Sequence, residues 1–315
     1  MIGFDIGGTK CAVCIGSYEN GHIVIQQKKK IPTDLSVSPY EMLDRLCHEA
    51  ERMTDCFDTI GISCGGPLDT NKGFILSPPN LLGWDEVPIT DYLNTRYGCP
   101  VYLENDANAC ALAEWKYGAG HGLSHMIFLT FGTGMGAGII LNGALYQGAN
   151  GNAGEVGHVR MKKNGPIGYG KHGSFEGFAS GGGIAQQARA MAKRALRNGA
   201  PVGFCPNKES LSSVTAETVA MAARNGDPDA KEIYRSCGTM LGYGLAALID
   251  VFNPEAIVLG SIYVRASDLL EAPMRQVLEE ECLPSSLASI RILPAALGES
   301  LGDYAALAVA DQEKR

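Results

Sequence analysis

No apolar run in this 315-residue sequence is long and uncharged enough to serve as a membrane-spanning helix. Nothing with the architecture of a signal peptide stands ahead of Met1-Ile2-Gly3-Phe4-Asp5, which already reads as a strand, so the expected compartment is the cytoplasm. Clustered positive charge is scarce too. The net charge is −8, and the one basic run, Lys28-Lys29-Lys30, reads as a solvated strand end, so no nucleic-acid partner is expected. Neither a Walker Gly-Lys-Ser/Thr nor a Rossmann glycine fingerprint opening a helix is present. Cysteine, by contrast, is plentiful, with 10 residues scattered through the chain and no disulfide framework. The single Cys-x-x-Cys, Cys11 to Cys14, lies in a strand-like stretch, where residues three apart face opposite ways. These thiols are read as core filling in a reducing compartment. With 45% hydrophobic and 19% charged residues, the chain is globular and long enough for two domains.

What is present follows an α/β rhythm. Ile2–Ile6, Lys10–Ser17 and His22–Lys29 read as strands joined by turns at Gly7-Gly8-Thr9 and Glu19-Asn20-Gly21. A helix is predicted over about Ser38–Met53 from the stripe Met42, Leu43, Leu46 and Ala50. Thr59–Cys64 reads as a strand, 89–97 as a helix, Val101–Glu104 as a strand and Ala107–Tyr117 as a helix. The three glycines of Gly118–Gly122 suggest a hinge. The expected division is residues 1–117 as a small N-terminal α/β domain and 118–301 as a larger C-terminal one, with a final helix over about 302–315 packing on the first. After the hinge the pattern restarts: strand His125–Phe131, a glycine-rich turn, and a strand over Ala137–Leu141. Residues 142–183 are rich in glycine and read as loops. Mostly helical chain follows, at about Ile184–Asn198, Thr215–Asn225, Pro228–Asp250 and Ala266–Glu281, interrupted by strands at Ala256–Gly260 and Ser289–Pro294. Two halves that begin alike suggest a duplicated fold with a central cleft.

Four clusters carry chemistry. Asp5-Ile6-Gly7-Gly8-Thr9-Lys10 places a carboxylate at a strand end, then two glycines, a hydroxyl and an amine. Glycine lets backbone N–H groups approach phosphoryl oxygens, Thr9 adds a donor, and Asp5 is placed to hold the waters of a phosphate-bound Mg²⁺. Gly132-Thr133-Gly134-Met135-Gly136, between two apolar strands, has the flexibility needed to wrap a nucleotide phosphate. Asp106 follows a predicted strand, where α/β sheets present ligands, and is the candidate base that takes a proton from an alcohol. Asn105 beside it would orient the acceptor, although an Asp capping the following helix is an equally simple reading. Glu155, His158 and Glu176 lie among glycines, and carboxylates suit the paired hydroxyls of a polyol.

The order Asp-Ile-Gly-Gly-Thr-Lys (from Asp5), Glu-Asn-Asp-Ala-Asn (from Glu104), Phe-Gly-Thr-Gly-Met-Gly-Ala-Gly (from Phe131) and Gly-Glu-Val-Gly-His (from Gly154) resembles the ROK family of bacterial sugar kinases and repressors. The resemblance runs from Ile2 to about Ala308 and takes in Asn80-Leu81-Leu82-Gly83-Trp84 and the segment from Asn253 to Gly260. It implies an α/β, actin-like ATPase fold (hexokinase–Hsp70–actin, ribonuclease H-like) of two domains. It implies ATP with Mg²⁺, transfer to a hexose hydroxyl, most often on C6, and a homodimer. By the same resemblance Asp106 is the base, Gly66, Asn80, Asn105, Glu155, His158 and Glu176 surround the sugar, and Gly260 lies near the adenosine, with Ser261 where the family usually has a second glycine. One departure is large. The family's zinc loop supplies three cysteines, and here Ile167, Tyr169 and Ser174 replace them. No zinc is therefore expected, and Ile167, Tyr169 and Phe175 should pack the loop by apolar contact. The chief alternative is a sugar-binding sensor of the same family, without a DNA-binding domain. The motifs do not choose among glucose, N-acetylhexosamines and other hexoses.

Overall fold

The computed structural model describes residues 1–19 and 22–311. In chain order the elements are β1 (Ile2–Ile6), β2 (Lys10–Glu19), β3 (His22–Pro32), α1 (Pro39–Met53), β4 (Ile60–Cys64), β5 (Leu68–Asp69), β6 (Phe74–Ile75), α2 (Ile89–Tyr97), β7 (Val101–Asn105) and α3 (Asp106–Tyr117). There follow β8 (Met126–Leu129), β9 (Ala137–Leu141), β10 (Ala144–Leu145), β11 (Ile167–Gly168), β12 (Lys171–His172), α4 (Phe175–Phe178), α5 (Gly181–Arg197), α6 (Ala216–Arg224) and α7 (Pro228–Phe252). The chain ends with β13 (Ala256–Leu259), α8 (Ser261–Glu281), α9 (Pro284–Ser289), β14 (Arg291–Pro294) and α10 (Leu301–Ala310). Most expected elements lie within a few residues of their predicted bounds. Asn20 and Gly21, part of the expected second hairpin turn, and 312–315, the last residues of the expected final helix, lie outside the described residues.

The chain divides into two compact units. The first comprises Met1–Ser124, Gly138–Gly154 and the chain from Ala296 onward. Its sheet has the order β3-β2-β1-β4-β7, antiparallel through the two hairpins and parallel from β1 to β7. Ile2, Phe4, Val13, Ile60 and Ile62 are fully buried in its core with the apolar stripe of α1. That helix starts where the sequence signals a start: Ser38 accepts a bond from Glu41 N, and Pro39 takes the first turn. On the other side α10 packs against β1 and β4. Only glycine at position 61 permits this approach, because a Cβ there would collide with the backbone of Ala306 and Ala310.

The second unit comprises His125–Ala137 and Glu155–Ala295. Its parallel strands β8, β13 and β14 are fully paired from Met126, Ala256 and Arg291 onward. The long helix α7 starts at an Asp227 cap followed by Pro228 and ends at Asn253 in the left-handed conformation. It packs along α8. The sequence places the start of α8 at Ala266. The structure begins it at Ser261 and interrupts it at Ala266, whose dihedrals are non-helical.

Two local expectations need correction. Lys28 is not simply a solvated strand end: its ammonium pairs at 2.9 Å with Asp303, a carboxylate only 3% exposed on α10. The 167–175 loop does not pack through three apolar side chains either. Phe175 is buried, but Ile167 is 43% and Tyr169 70% exposed. Tyr169 and Gly170 both have positive φ, forming the two-residue turn of the β11–β12 hairpin, and this geometry turns the tyrosine outward.

Candidate active site

In the first unit, the paired register aligns Ile6, Cys64 and Asn105 at the carboxyl ends of β1, β4 and β7. Parallel α/β sheets present ligands at that edge. Asp5, the Gly65-Gly66 turn and Asp106 therefore emerge side by side. A Cβ on Gly65 would lie 3.9 Å from Asp106 Oδ2, and one on Gly66 3.4 Å from Asn105 Nδ2. The Gly66–Pro67 peptide is cis.

Asn105, not Asp106, caps α3, its Oδ1 accepting from Ala107 N at 3.0 Å. Asp106 opens the helix and its Oδ1 accepts from the same N–H at 2.8 Å. Desolvation by the surrounding protein raises the Asp106 carboxyl above its ordinary range, against the pull of that backbone bond, although the residue stays open to solvent. Asp5 is pushed up to about 6, first by burial, then by the negative charges of Asp106 and Asp303, with Lys30 and Lys10 opposing. Such an acidic pair favours the arrival of a cation or a proton.

The Gly7–Thr9 turn is anchored from just beyond β3, where Thr33 Oγ1 donates to Gly7 O at 2.6 Å and Thr33 N to Thr9 O at 3.1 Å. Gly8 lies so close to Asn80 that a Cβ would strike the asparagine backbone, so the turn demands glycine there. The first unit thus brings together Asp5, Gly7, Gly8, Thr9, Lys10, Gly66, Asn80, Asn105 and Asp106. Beneath them Glu104, which opens the Glu-Asn-Asp-Ala-Asn motif but has no role assigned from the sequence, is buried and accepts from Asn105 N, Asn108 Nδ2 and Gln147 Nε2 at 2.6–3.0 Å. Asp303 was also missed, since its charge reaches Asp5 only through folding.

The second unit gathers the remaining residues. Its parallel strands end level at Leu129, Leu259 and Pro294. From Leu129 the chain enters the Gly132–Gly136 loop, closed by Thr130 N on Gly136 O at 3.0 Å. Gly181 N and Gly182 N, at the start of α5, donate to Gly132 O and Thr133 O at 2.8 and 3.0 Å. Glu176 accepts from Met135 N at 3.0 Å, and its carboxylate lies against Gly134. Glu155 precedes the short turn Val156–His158, whose Gly157 packs on Met135 O and the Glu176 side chain. Glu155, His158, Glu176, Gly132, Thr133, Gly134 and Gly136 are therefore neighbours in space. Gly260 follows β13 and lies against the Thr130 carbonyl. Ser261 and Phe131 both have positive φ, 33° and 35°, and are linked by Ile262 N on Phe131 O at 2.8 Å. Two non-glycine residues held there mark local backbone strain, of a kind that gathers at functional loops.

Among the described residues no three His, Cys, Asp or Glu are grouped to hold a metal ion. His158 and His172 line one groove in the loop that lacks the three cysteines. No helix of the described residues is long and apolar enough to cross a membrane.

The model of the family described as ROK matches residues 1–313. A glucokinase of Thermotoga maritima is 32% identical, over 98% of this chain and 96% of its own length. A glucokinase of Streptomyces coelicolor is 34% identical, over 87% and 86%. A solved ROK family glucokinase from Streptomyces griseus, in complex with glucose and AMPPNP, is 32% identical with a TM-score of 0.78, covering 99% of both chains. The chain belongs to the ROK family and has the two-domain, actin-like ATPase fold of its sugar kinases.

Proposed function

We propose that this protein is an ATP-dependent sugar kinase that phosphorylates a hexose hydroxyl, with Asp106 as the general base. The observation that carries the reading is the placement of Asp106: open to solvent, its carboxyl raised in pKa, and set at the carboxyl edge of the sheet beside Asp5 and the Gly7–Lys10 turn. The glucokinase relatives, and the glucose and AMPPNP in the Streptomyces griseus structure, support the same acceptor and donor classes. A carboxylate with raised pKa is a stronger base, so Asp106 is suited to taking the hydroxyl proton. The hydroxyl oxygen then bonds to the terminal phosphorus of ATP while the bond to the departing ADP breaks.

Gly66, Asn80, Asn105, Glu155, His158 and Glu176 are assigned to the sugar hydroxyls. Gly7, Gly8, Thr9 and Lys10, with Gly132, Thr133, Gly134, Gly136 and Gly260, are assigned to the nucleotide. Mg²⁺ fits at Asp5, where two further carboxylates already make the potential negative. Asp5 would hold the ion through water, where it would neutralise phosphate charge; an ion that retains most of its waters needs only one or two protein carboxylates. The ten unpaired thiols support a reducing compartment, the cytoplasm. The homodimer rests on the family alone.

The deciding experiment is a coupled ADP-release assay with ATP and Mg²⁺ over a panel of hexoses and N-acetylhexosamines. Turnover on one sugar is expected, with Asp106→Asn lowering kcat on the order of 10²–10⁴-fold while sugar binding persists. Sugar binding without turnover on any member of the panel would replace the kinase reading with a sensor.

A further inference from the structure

The second unit carries an open groove of about 740 Å³ lined by His158, Arg160, Lys163, Tyr169, Lys171 and His172. Three permanent cations and two imidazoles meet there, and no Asp or Glu is among the lining residues. The whole chain carries −8, so this concentration of one sign is local and opposite to the average. Like charges brought together repel, and an arrangement that retains them favours an anion.

The cationic heads are held in place without being neutralised. Arg160 Nη1 donates to His172 O at 2.6 Å and lies 3.5 Å from Lys163 O. Lys171 Nζ donates to His158 O at 2.7 Å. Their partners are carbonyl dipoles, not carboxylates, so the charges stand. A guanidinium carries five N–H donors and an ammonium three, which leaves both with donors for a second acceptor. The tight Tyr169-Gly170 turn fixes Lys171 and His172 on the return strand. A planar fork beside two ammonium groups matches a tetrahedral oxyanion better than a planar or uncharged ligand.

We propose that this groove is a phosphate-binding site, and that the phosphate it takes is carried by a sugar phosphate in preference to the free anion. The preference for a sugar-borne phosphate rests on the sugar-kinase reading, in which His158 touches the sugar. The phosphate site itself does not depend on that reading. Lys163 is exposed and outside the residues assigned to sugar or nucleotide, so it is the position to alter.

The test is calorimetric titration of the full chain with inorganic phosphate, with glucose 6-phosphate, and with glucose as the uncharged control. Lys163→Glu should weaken both phosphate ligands at least tenfold and leave glucose affinity and turnover unchanged, and Lys163→Arg should restore binding. Thermal melts of the variants establish that each is folded. Tighter binding of the sugar phosphate than of inorganic phosphate supports the carried form, and equal binding overturns that preference in favour of the free anion. Absence of binding to the wild type, or affinities indifferent to Lys163→Glu, overturns the site. A chain that binds phosphate through Lys163 but turns over no sugar sinks the kinase reading alone. An active kinase whose phosphate binding ignores Lys163 sinks this proposal alone.

Discussion

Asp5→Asn should stabilise the protein, and should do so only above about pH 4. In the folded chain the Asp5 carboxyl titrates at about 6 instead of the ordinary 3.8. Burial and the charges of Asp106 and Asp303 are the causes. Because the folded-state value is raised, the native state holds a proton that the unfolded state releases between those two pH values. Stability therefore falls as pH rises through that window, with a slope of about 1.4 kcal/mol per pH unit, and the loss is complete above pH 6. The difference of about two units corresponds to a penalty of about 3 kcal/mol at neutral pH. Asparagine has nearly the same shape and carries no charge, so it removes the penalty. Denaturant unfolding of wild type and variant from pH 4 to pH 8 should give curves that coincide at the acid end and separate by up to about 3 kcal/mol at neutral pH. MgATP should narrow the gap by binding the ionised wild-type carboxylate, and wild-type turnover should fall as pH drops through 6. A gap that is constant across the range would refute the argument, because a packing effect has no reason to track a proton.

Two further predictions concern the backbone. Gly61→Ala should cost about 1–3 kcal/mol, read as a lowered Tm, because its methyl group would meet the α10 backbone at Ala306 and Ala310. Ser261→Gly should raise stability by about 1 kcal/mol, since Ser261 is held at a φ of 33°, where an L side chain is strained; denaturant midpoints of the two proteins would check it.

The strands and helices were legible because their signals are local. The helix α1 begins within a residue of its expected start at Ser38, and α2 and α7 begin where their patterns begin. Other starts were blurred. The Ser261–Arg265 turn of α8 went unread because its first residue sits in a left-handed conformation, which no propensity anticipates. The 167–175 loop departs from its apolar pattern, which predicts inward packing. A two-residue turn with positive φ at both positions directs Tyr169 outward regardless of its hydrophobicity.

The sequence by itself determined the alternation of strands, the glycine turns at their ends, the cysteines' lack of a framework and the residues that belong to a phosphoryl-transfer family. Each depends on neighbours a few positions apart. Tertiary structure alone decided how those residues are charged and held. The Lys28–Asp303 pair joins residues 275 positions apart, and the elevated Asp5 carboxyl depends first on burial and then on the charges of Asp106 and Asp303. The meeting of Arg160, Lys163 and Lys171 with two histidines in one groove depends on a hairpin that folds the loop back on itself. Burial and Coulomb interactions act through space, so they exist only once the chain has brought distant residues together.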